Sequence, residues 1–169
     1  NFFLIFWHKL VISYYMTKNK YLSLFLIILI TFIASAIGGF TTSLFKEPWY
    51  SEIILPSYNP PSWVFGPVWT TLYIMMSVAI WQIWLNSFNN KTLKLYFIHM
   101  FFNASWSILF FGFHQIGLAL INLFIILFFI ILLMKIYIKE NKLSFYLMAP
   151  YFLWSTYAFV LNLSIFLLN

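Results

Sequence analysis

The chain has 169 residues, of which 64% are hydrophobic and 7% are charged, against about 25% charged residues in a typical soluble domain, so it lacks the polar surface that a water-soluble globule needs. It contains no cysteine, which excludes disulfides, thiolate nucleophiles and zinc–thiolate sites. Its net charge of +6 comes from nine lysines that lie between apolar stretches, without any arginine, so we expect the charge to set membrane topology and expect no nucleic-acid partner.

The beginning of the chain, Asn1–Tyr15, is apolar but too short to cross a bilayer. It lacks the basic start and the small-residue cleavage site of a signal peptide. We therefore predict that residues 1–15 form a dispensable extension or an interfacial segment, with Met16 as a candidate natural start. Residues 16–169 are predicted to form one transmembrane domain.

Five apolar stretches follow, each close to the roughly 20 residues that a membrane-spanning helix requires. None shows the strict alternation of apolar and polar residues that a barrel strand would show. The fold class is therefore predicted to be an all-α integral membrane protein, a bundle of five transmembrane helices. The stretches run approximately over Tyr21–Phe45, Val64–Leu85, Leu95–Phe113, Gly117–Tyr137 and Leu143–Leu168.

Small residues are paired four positions apart in the first stretch, Ala34 with Gly38 and Ser35 with Gly39. They share one face of a helix and allow another helix to approach closely. The approaching helix can belong to the same monomer or to a second subunit, so a homodimer is a possible assembly.

The first two stretches are separated by Lys46–Trp63, a long proline-rich loop in which we predict no regular helix, because proline removes backbone donors. Pro60 and Pro61 are expected to hold the chain stiff and extended, so this segment either acts as a lid or simply starts the second helix. Pro67 is expected in the first turn of that helix, where its missing N–H costs little. The other prolines of the loop are Pro48 and Pro56.

The lysines are distributed unequally between the two sides of an alternating bundle. One side receives only Lys46, whereas the other receives Lys9, Lys18, Lys20, Lys91, Lys94, Lys135, Lys139 and Lys142. In a bacterial inner membrane this asymmetry predicts a cytoplasmic N-terminus, with the proline-rich loop and the C-terminus external.

Few polar side chains lie within the apolar stretches. Asn103 and Asn162 are expected to face the bundle interior, because an unpaired amide facing lipid is costly. The acids Glu47, Glu52 and Glu140 all fall in predicted loops, which leaves no carboxylate pair for hydrolytic chemistry. The histidines His99 and His114 fall near predicted helix ends, and we expect them to be solvated or capping groups rather than iron ligands.

Three blocks of sequence carry recognisable motifs. Residues 55–73 read LPSYNPPSWVFGPVWTTLY, residues 103–121 read NASWSILFFGFHQIGLALI, and the last block begins PYFLW at Pro150. In order and spacing they resemble the loop and second helix, the third helix and the last helix of the translocator protein family, also called TspO/MBR or peripheral benzodiazepine receptor family. The resemblance covers roughly residues 34–169 and points to a bacterial member.

The resemblance implies a membrane receptor or sensor that binds protoporphyrin IX, haem or similar apolar aromatic ligands in a tryptophan-rich cavity between helices, beneath the first loop. It requires no resident cofactor or metal, since the porphyrin is the ligand. Membrane lipid is the other expected partner. The implied ligand-binding residues are Pro60, Pro61, Trp69, Tyr73, Asn103, Trp106, Ser107, Trp154 and Leu161.

Two alternatives to simple binding stay open at this point. One is a light-dependent oxidative degradation of protoporphyrin, proposed within the family, for which Trp69 and Trp154 would give up electrons. The other is transport of porphyrin or lipid, although the stretches lack the intramembrane charges that usually couple transport to an ion. The sequence also departs from the family at Tyr58, Ser77 and Asn122, and no basic residue follows Tyr157, so a sterol ligand is not implied.

Overall fold

A computed structural model of the protein describes residues 19–87 and 90–169. The prediction for residues 1–15 and for a start at Met16 lies outside this part of the chain. In chain order the helices are α1 (Lys20–Phe45), α2 (Trp49–Glu52), α3 (Ser62–Ser87), α4 (Asn90–Ser107), α5 (Ile116–Glu140) and α6 (Lys142–Leu168).

Helix α4 continues without a break into a π-helical segment, Ile108–Gly112. With that extension, five helices in the described part of the chain are long and apolar enough to cross a membrane, namely α1, α3, α4, α5 and α6. The predicted bundle of five spanning helices is confirmed, and its boundaries agree with the apolar stretches to within a few residues except at the start of α4.

Asparagine side chains mark where two of the helices begin. The side-chain oxygen of Asn19 accepts a hydrogen bond from the backbone N–H of Leu22 at 3.2 Å. Asn141 separates α5 from α6, and its side-chain oxygen accepts from the N–H of Leu143 at 2.9 Å and of Ser144 at 3.3 Å. Both arrangements satisfy N–H groups that a helix start leaves without intrahelical partners.

The structure corrects two predictions about the segment between α1 and α3. One helical turn, α2, lies within the loop in which we predicted no regular helix. Helix α3 begins at Ser62, so Pro67 lies inside the helix, beyond its first turn. The helix begins early because the carbonyl of Pro61 accepts a hydrogen bond from the N–H of Val64 at 3.0 Å, so Pro61 itself initiates the turn.

The bundle has two ends with different contents. The lysine-rich end contains the start of α1, the end of α3, the start of α4 and the hairpin from α5 to α6. The loop end contains the segment 46–61 and the π-helical segment. At the lysine-rich end Trp81 links α3 to α1, because its indole N–H donates to Lys20 O and Ser23 Oγ, each at 3.1 Å.

Small residues allow α1 to lie close to α4 near the loop end. A Cβ placed on Gly38 would lie 3.1 Å from Ser107 Oγ, and one on Gly112 would lie 3.2 Å from a methyl group of Thr41. Gly38 therefore serves packing within the monomer, as one of the predicted alternatives required. Gly39, by contrast, has no atom within 4 Å of such a Cβ.

Candidate functional site

A cavity of about 510 Å³ opens at the loop end of the bundle, lined mainly by α1, α3, α4 and α6 and also by two residues of α5. This volume lies within the range of roughly 300–1,000 Å³ that is typical of small-molecule sites. We call it the interhelical cavity. The predicted ligand-binding residues that line it are Trp69, Tyr73, Asn103, Trp106, Ser107, Trp154 and Leu161.

Pro60 and Pro61 do not line the interhelical cavity. Pro60 is half-buried and Pro61 is exposed, just before α3 begins. The segment reaches the cavity instead through Lys46, Glu47 and Tyr50. Sequence reasoning missed these contacts because they depend on how the segment folds back.

Several further lining residues were not singled out as binding residues. On α6, Ser155 and Ala158 flank Trp154 and Leu161 at spacings of one, three and four residues. Ala158 lies four residues after Trp154 and three before Leu161, so it shares their helical face, and this periodicity could have identified it. Ser155 directly follows Trp154, and a spacing of one does not share a face, so periodicity does not identify Ser155. On α1, the small residues predicted to serve only packing also line the cavity, namely Ala34, Ser35, Gly38 and Gly39.

Aromatic rings form the walls of the cavity. Trp69 stacks on Tyr73 with ring centroids 5.3 Å apart and an interplanar angle of 26°. Trp106 stacks on Phe110 at 5.0 Å and 18°. Both pairs are spaced four residues apart, which places the two rings on the same side of a helix. On the opposite side, Trp154 meets Phe65 edge to face at 6.0 Å and 70°.

A chain of buried hydrogen bonds lies beneath these rings. Tyr73 donates its hydroxyl proton to Asn103 Oδ1 at 2.7 Å, and Asn103 Nδ2 donates to the Tyr151 hydroxyl oxygen at 2.9 Å. The Tyr151 hydroxyl also lies 2.8 Å from His99 Nε2. The amide of Asn103 is thereby fixed in orientation, and the prediction that Asn103 faces the bundle interior is confirmed.

A second asparagine connects α6 to α4 and α5. Trp106 Nε1 donates to Asn162 Oδ1 at 3.1 Å, and Asn162 Nδ2 donates to the carbonyl of Ile116, also at 3.1 Å. Asn162 is 1% exposed, which confirms its predicted inward orientation. Asn122, where the family often has aspartate, donates to the carbonyl of Phe102 at 2.9 Å and so holds α5 against α4 without a charge.

The prediction that His99 is solvated or capping is wrong. His99 is fully buried, because α4 begins at Asn90 rather than at the predicted Leu95, which places His99 well inside the bundle. His114 is exposed, and its Nε2 lies 3.3 Å from the carbonyl of Phe45, near the end of α1. Among the described residues, no three His, Asp or Glu side chains are grouped so that they could hold a metal ion.

The segment 46–61 is anchored to the loop end of the bundle. Trp49 stacks on His114 at 4.4 Å and meets Phe110 edge to face at 5.3 Å. The Asn169 side chain accepts from the N–H of Ile54 at 2.8 Å and donates to its carbonyl at 3.0 Å. The Tyr157 hydroxyl donates to the carbonyl of Tyr58 at 2.8 Å.

Charged and polar groups line the cavity where the segment meets it. The ammonium group of Lys46 lies 3.5 Å from Glu47 Oε1, 3.1 Å from Ser62 Oγ and 5.1 Å from the centre of the Tyr50 ring. Burial raises the pKa of Tyr50 above its ordinary value of 10.0, against a smaller lowering by its bond to Asn59. Tyr50 is therefore neutral at physiological pH and donates to Asn59 Oδ1 at 3.2 Å.

The three carboxylates lie at the ends of the bundle, outside the middle of the spanning helices, where they were predicted to lie in loops. Glu52 ends the short helix α2, and Glu47 lies between α1 and α2. Glu140, however, is the last residue of α5 rather than a loop residue. The chemistry available to the cavity walls is therefore mainly aromatic stacking, apolar contact and hydrogen bonding.

Comparison with known proteins agrees with this architecture. The sequence model of the TspO/MBR family matches residues 26–168. A "Tryptophan-rich protein TspO" of Archaeoglobus fulgidus is 35% identical over 134 residues, which cover 78% of this chain and 87% of the relative. The "Tryptophan-rich sensory protein" of Cereibacter sphaeroides is 31% identical, with 83% and 90% covered. The "Translocator protein" of Homo sapiens is 32% identical, with 77% and 82% covered.

Proposed function

Because the chain belongs to the TspO/MBR family, we propose that it is a membrane receptor or sensor that binds tetrapyrroles, such as protoporphyrin IX or haem, or similar flat apolar molecules in the interhelical cavity. The names of the relatives, a tryptophan-rich sensory protein and a translocator protein, support a receptor or sensor role in the membrane. The five spanning helices make the protein an integral, multi-pass membrane protein.

The observation that carries this proposal is the convergence of indole rings from different helices. Trp69 of α3, Trp106 of α4 and Trp154 of α6 line the same cavity. Large, rigid rings bind flat aromatic ligands by stacking and by apolar burial, at little cost in side-chain entropy. The fixed amide of Asn103 adds a polar edge that can orient such a ligand.

Titration of purified protein with protoporphyrin IX in darkness tests the proposal, with a non-planar hydrophobe as the comparison ligand. Trp106→Leu and Trp154→Leu should each weaken protoporphyrin binding by about 0.5–1.5 kcal/mol beyond the loss of buried area. Trp63→Leu is the matched control, because Trp63 is 76% exposed and does not line the cavity. Equal affinity in all three variants would remove the cavity from consideration as the binding site.

Light-dependent degradation of protoporphyrin is a second candidate activity, favoured by the position of two indoles on the cavity wall. Trp69 and Trp154 both line it, and each contacts another aromatic ring, Tyr73 and Phe65 respectively. The same samples should be illuminated in the presence of oxygen. If the parent protein loses porphyrin absorbance faster than the Trp69→Leu variant, degradation is supported. If both proteins lose it at the same rate, ligand binding is the only activity that the cavity supports.

We further propose that the segment 46–61 covers the cavity as a proline-rich lid. Lys46, Glu47 and Tyr50 line the cavity from this segment, and Trp49 and Ile54 attach it to the bundle. The lid would close over bound ligand from the side that bears the lone Lys46.

That side is proposed to be external. Lys20, Lys91, Lys94, Lys139 and Lys142 lie near helix ends at the lysine-rich end, and positive charge favours the cytoplasmic side. A cysteine introduced at Glu52 should react with an impermeant reagent added outside the cell, and one at Lys139 should not. No other cysteine is present, so the opposite labelling pattern would reverse the proposed orientation.

A further inference from the structure

The interhelical cavity is polar at its entrance, where α1 ends and α3 begins. The lining residues there are Thr42, Ser43, Lys46 and Ser62. Trp69 lies on α3 seven residues after Ser62, about 10 Å farther along the helix axis. Among the described residues that line the cavity, Lys46 alone carries a positive charge. The cavity therefore has a cationic entrance and aromatic inner walls.

The ammonium group of Lys46 has hydrogen-bonding capacity to spare. It donates to Ser62 Oγ at 3.1 Å, and it lies 3.5 Å from Glu47 Oε1. An ammonium group has three donors, so these two oxygens leave one donor for a further acceptor. The Lys46 side chain lines the cavity and is 26% exposed. A ligand in the cavity can therefore reach the ammonium group.

The carboxylate of Glu47 is the competitor for this ammonium group. Glu47 also lines the cavity, but its side chain is 55% exposed, about twice as much as that of Lys46. Its second oxygen, Oε2, accepts a hydrogen bond from Ser51 Oγ, within the segment 46–61. An ion pair with so exposed a partner contributes little to stability. A carboxylate on a ligand can thus displace Glu47 from Lys46 at small cost.

We propose that Lys46 is the carboxylate-binding group of the interhelical cavity and pairs with an acid group at one edge of a flat ligand whose ring lies among the indoles. This inference rests on the proposed binding function and names the chemical class of the ligand, an aromatic ring system with a carboxylate at one edge. The placement suits such a molecule, because its charge stays at the end of the bundle near water while its ring is buried. The aromatic walls accept any flat apolar ring, whereas Lys46 selects rings that carry an acid.

Two forms of one porphyrin test the proposal, namely protoporphyrin IX and its dimethyl ester, which has the same ring system and no ionised carboxylate. In the same detergent, Lys46→Gln should weaken protoporphyrin IX binding roughly tenfold and should change ester binding by less than about twofold. Retained ester binding also shows that the variant is folded. Lys142→Gln removes one charge at the opposite end of the bundle, so it is the matched control and should change neither affinity. Equal loss for both porphyrins in Lys46→Gln, or no loss for protoporphyrin IX, would overturn the proposal.

Glu47→Gln separates ligand binding from a structural role of the ion pair. Both Lys46→Gln and Glu47→Gln break the same contact, so a purely structural pair would change porphyrin affinity in the same direction in both variants. If Lys46 binds the ligand, Glu47→Gln should instead strengthen protoporphyrin IX binding about twofold to fivefold, because it removes the competing carboxylate. Weaker binding in both variants would overturn the proposal.

The parent protein distinguishes failure of this inference from failure of the proposed function. If the parent binds neither the acid nor the ester, the cavity is not a porphyrin site, and the proposed function fails together with this inference. If the parent binds both and Lys46→Gln binds both as tightly, only the role of Lys46 fails.

Discussion

The two ends of the bundle use aromatic and aliphatic side chains of the same kinds for opposite purposes. At the lysine-rich end Ile80, Ile83, Tyr96, Leu133 and Met148 are fully buried against one another. At the loop end rings of similar size border a cavity of about 510 Å³. Aromatic content therefore does not distinguish a packed core from a binding site in this chain.

The difference follows from the residues that face the rings. Near the lysine-rich end α1 contributes Ile27 and Phe32 to the packed core. Near the loop end it contributes Ala34, Ser35 and Gly39 to the cavity wall. Small side chains on α1 leave space that the rings of α3, α4 and α6 do not fill. The cavity thus depends on small residues as much as on tryptophans.

The largest expected effect comes from removing a side chain at the packed end. Ile80 is fully buried, so Ile80→Ala should lower the free energy of unfolding by about 2–5 kcal/mol through lost contacts and a new void. Leu161 borders the existing cavity and is 7% exposed, so Leu161→Ala should cost clearly less. Denaturation of both variants in the same detergent measures the difference. Equal losses would mean that the cavity is filled by side-chain rearrangement.

A smaller effect is expected when the cavity is filled from α1. A Cβ on Gly39 meets no atom within 4 Å, so Gly39→Phe should place a ring in the cavity and weaken protoporphyrin binding by roughly tenfold or more, about 1.4 kcal/mol. The fold should survive, because no existing contact is broken. Ile33→Phe adds a ring to an exposed position of the same helix and is the control. Unchanged affinity in Gly39→Phe would contradict the role given to the small residues.

The sequence predicts the spans well because each is an apolar stretch of about the length that a bilayer demands. It also identifies wall residues such as Trp69 and Trp154 through the family resemblance. It does not predict the burial of His99. The first five residues of α4, before Leu95, include Lys91 and Lys94, so the apolar pattern places the start of the helix too late and His99 too near its end. The π-helical segment was missed as well, since its ring positions at Phe110 and Phe111 depend on packing against Trp106 and Tyr50.

Contacts between distant segments explain the remaining omissions. The segment 46–61 contacts the cavity through Lys46 and Tyr50, not through its prolines, because Asn169 and Tyr157 hold its later part against α6. No local pattern encodes such contacts.

The smallest expected effect concerns the lid, and it extends the comparison to the entrance of the cavity. Pro60 and Pro61 lie outside the lining but restrict the backbone immediately before α3. Replacing both with glycine gives the unbound segment more conformations to lose when it closes, so ligand affinity should fall by about 1 kcal/mol. Most of this loss should appear as faster dissociation, because related binding sites usually differ in their off-rates.

Stopped-flow dissociation of fluorescent protoporphyrin measures the rate directly. Pro56→Gly is the control, since Pro56 belongs to the same segment and its carbonyl accepts from the N–H of Asn59 at 2.9 Å, farther from the start of α3. Faster release from the double variant than from the control would assign the effect to the stiffness of the backbone at Pro60 and Pro61. If a folded double variant releases protoporphyrin no faster than the parent protein, these prolines only initiate α3, and any closure of the cavity depends on Lys46 and Tyr50 instead.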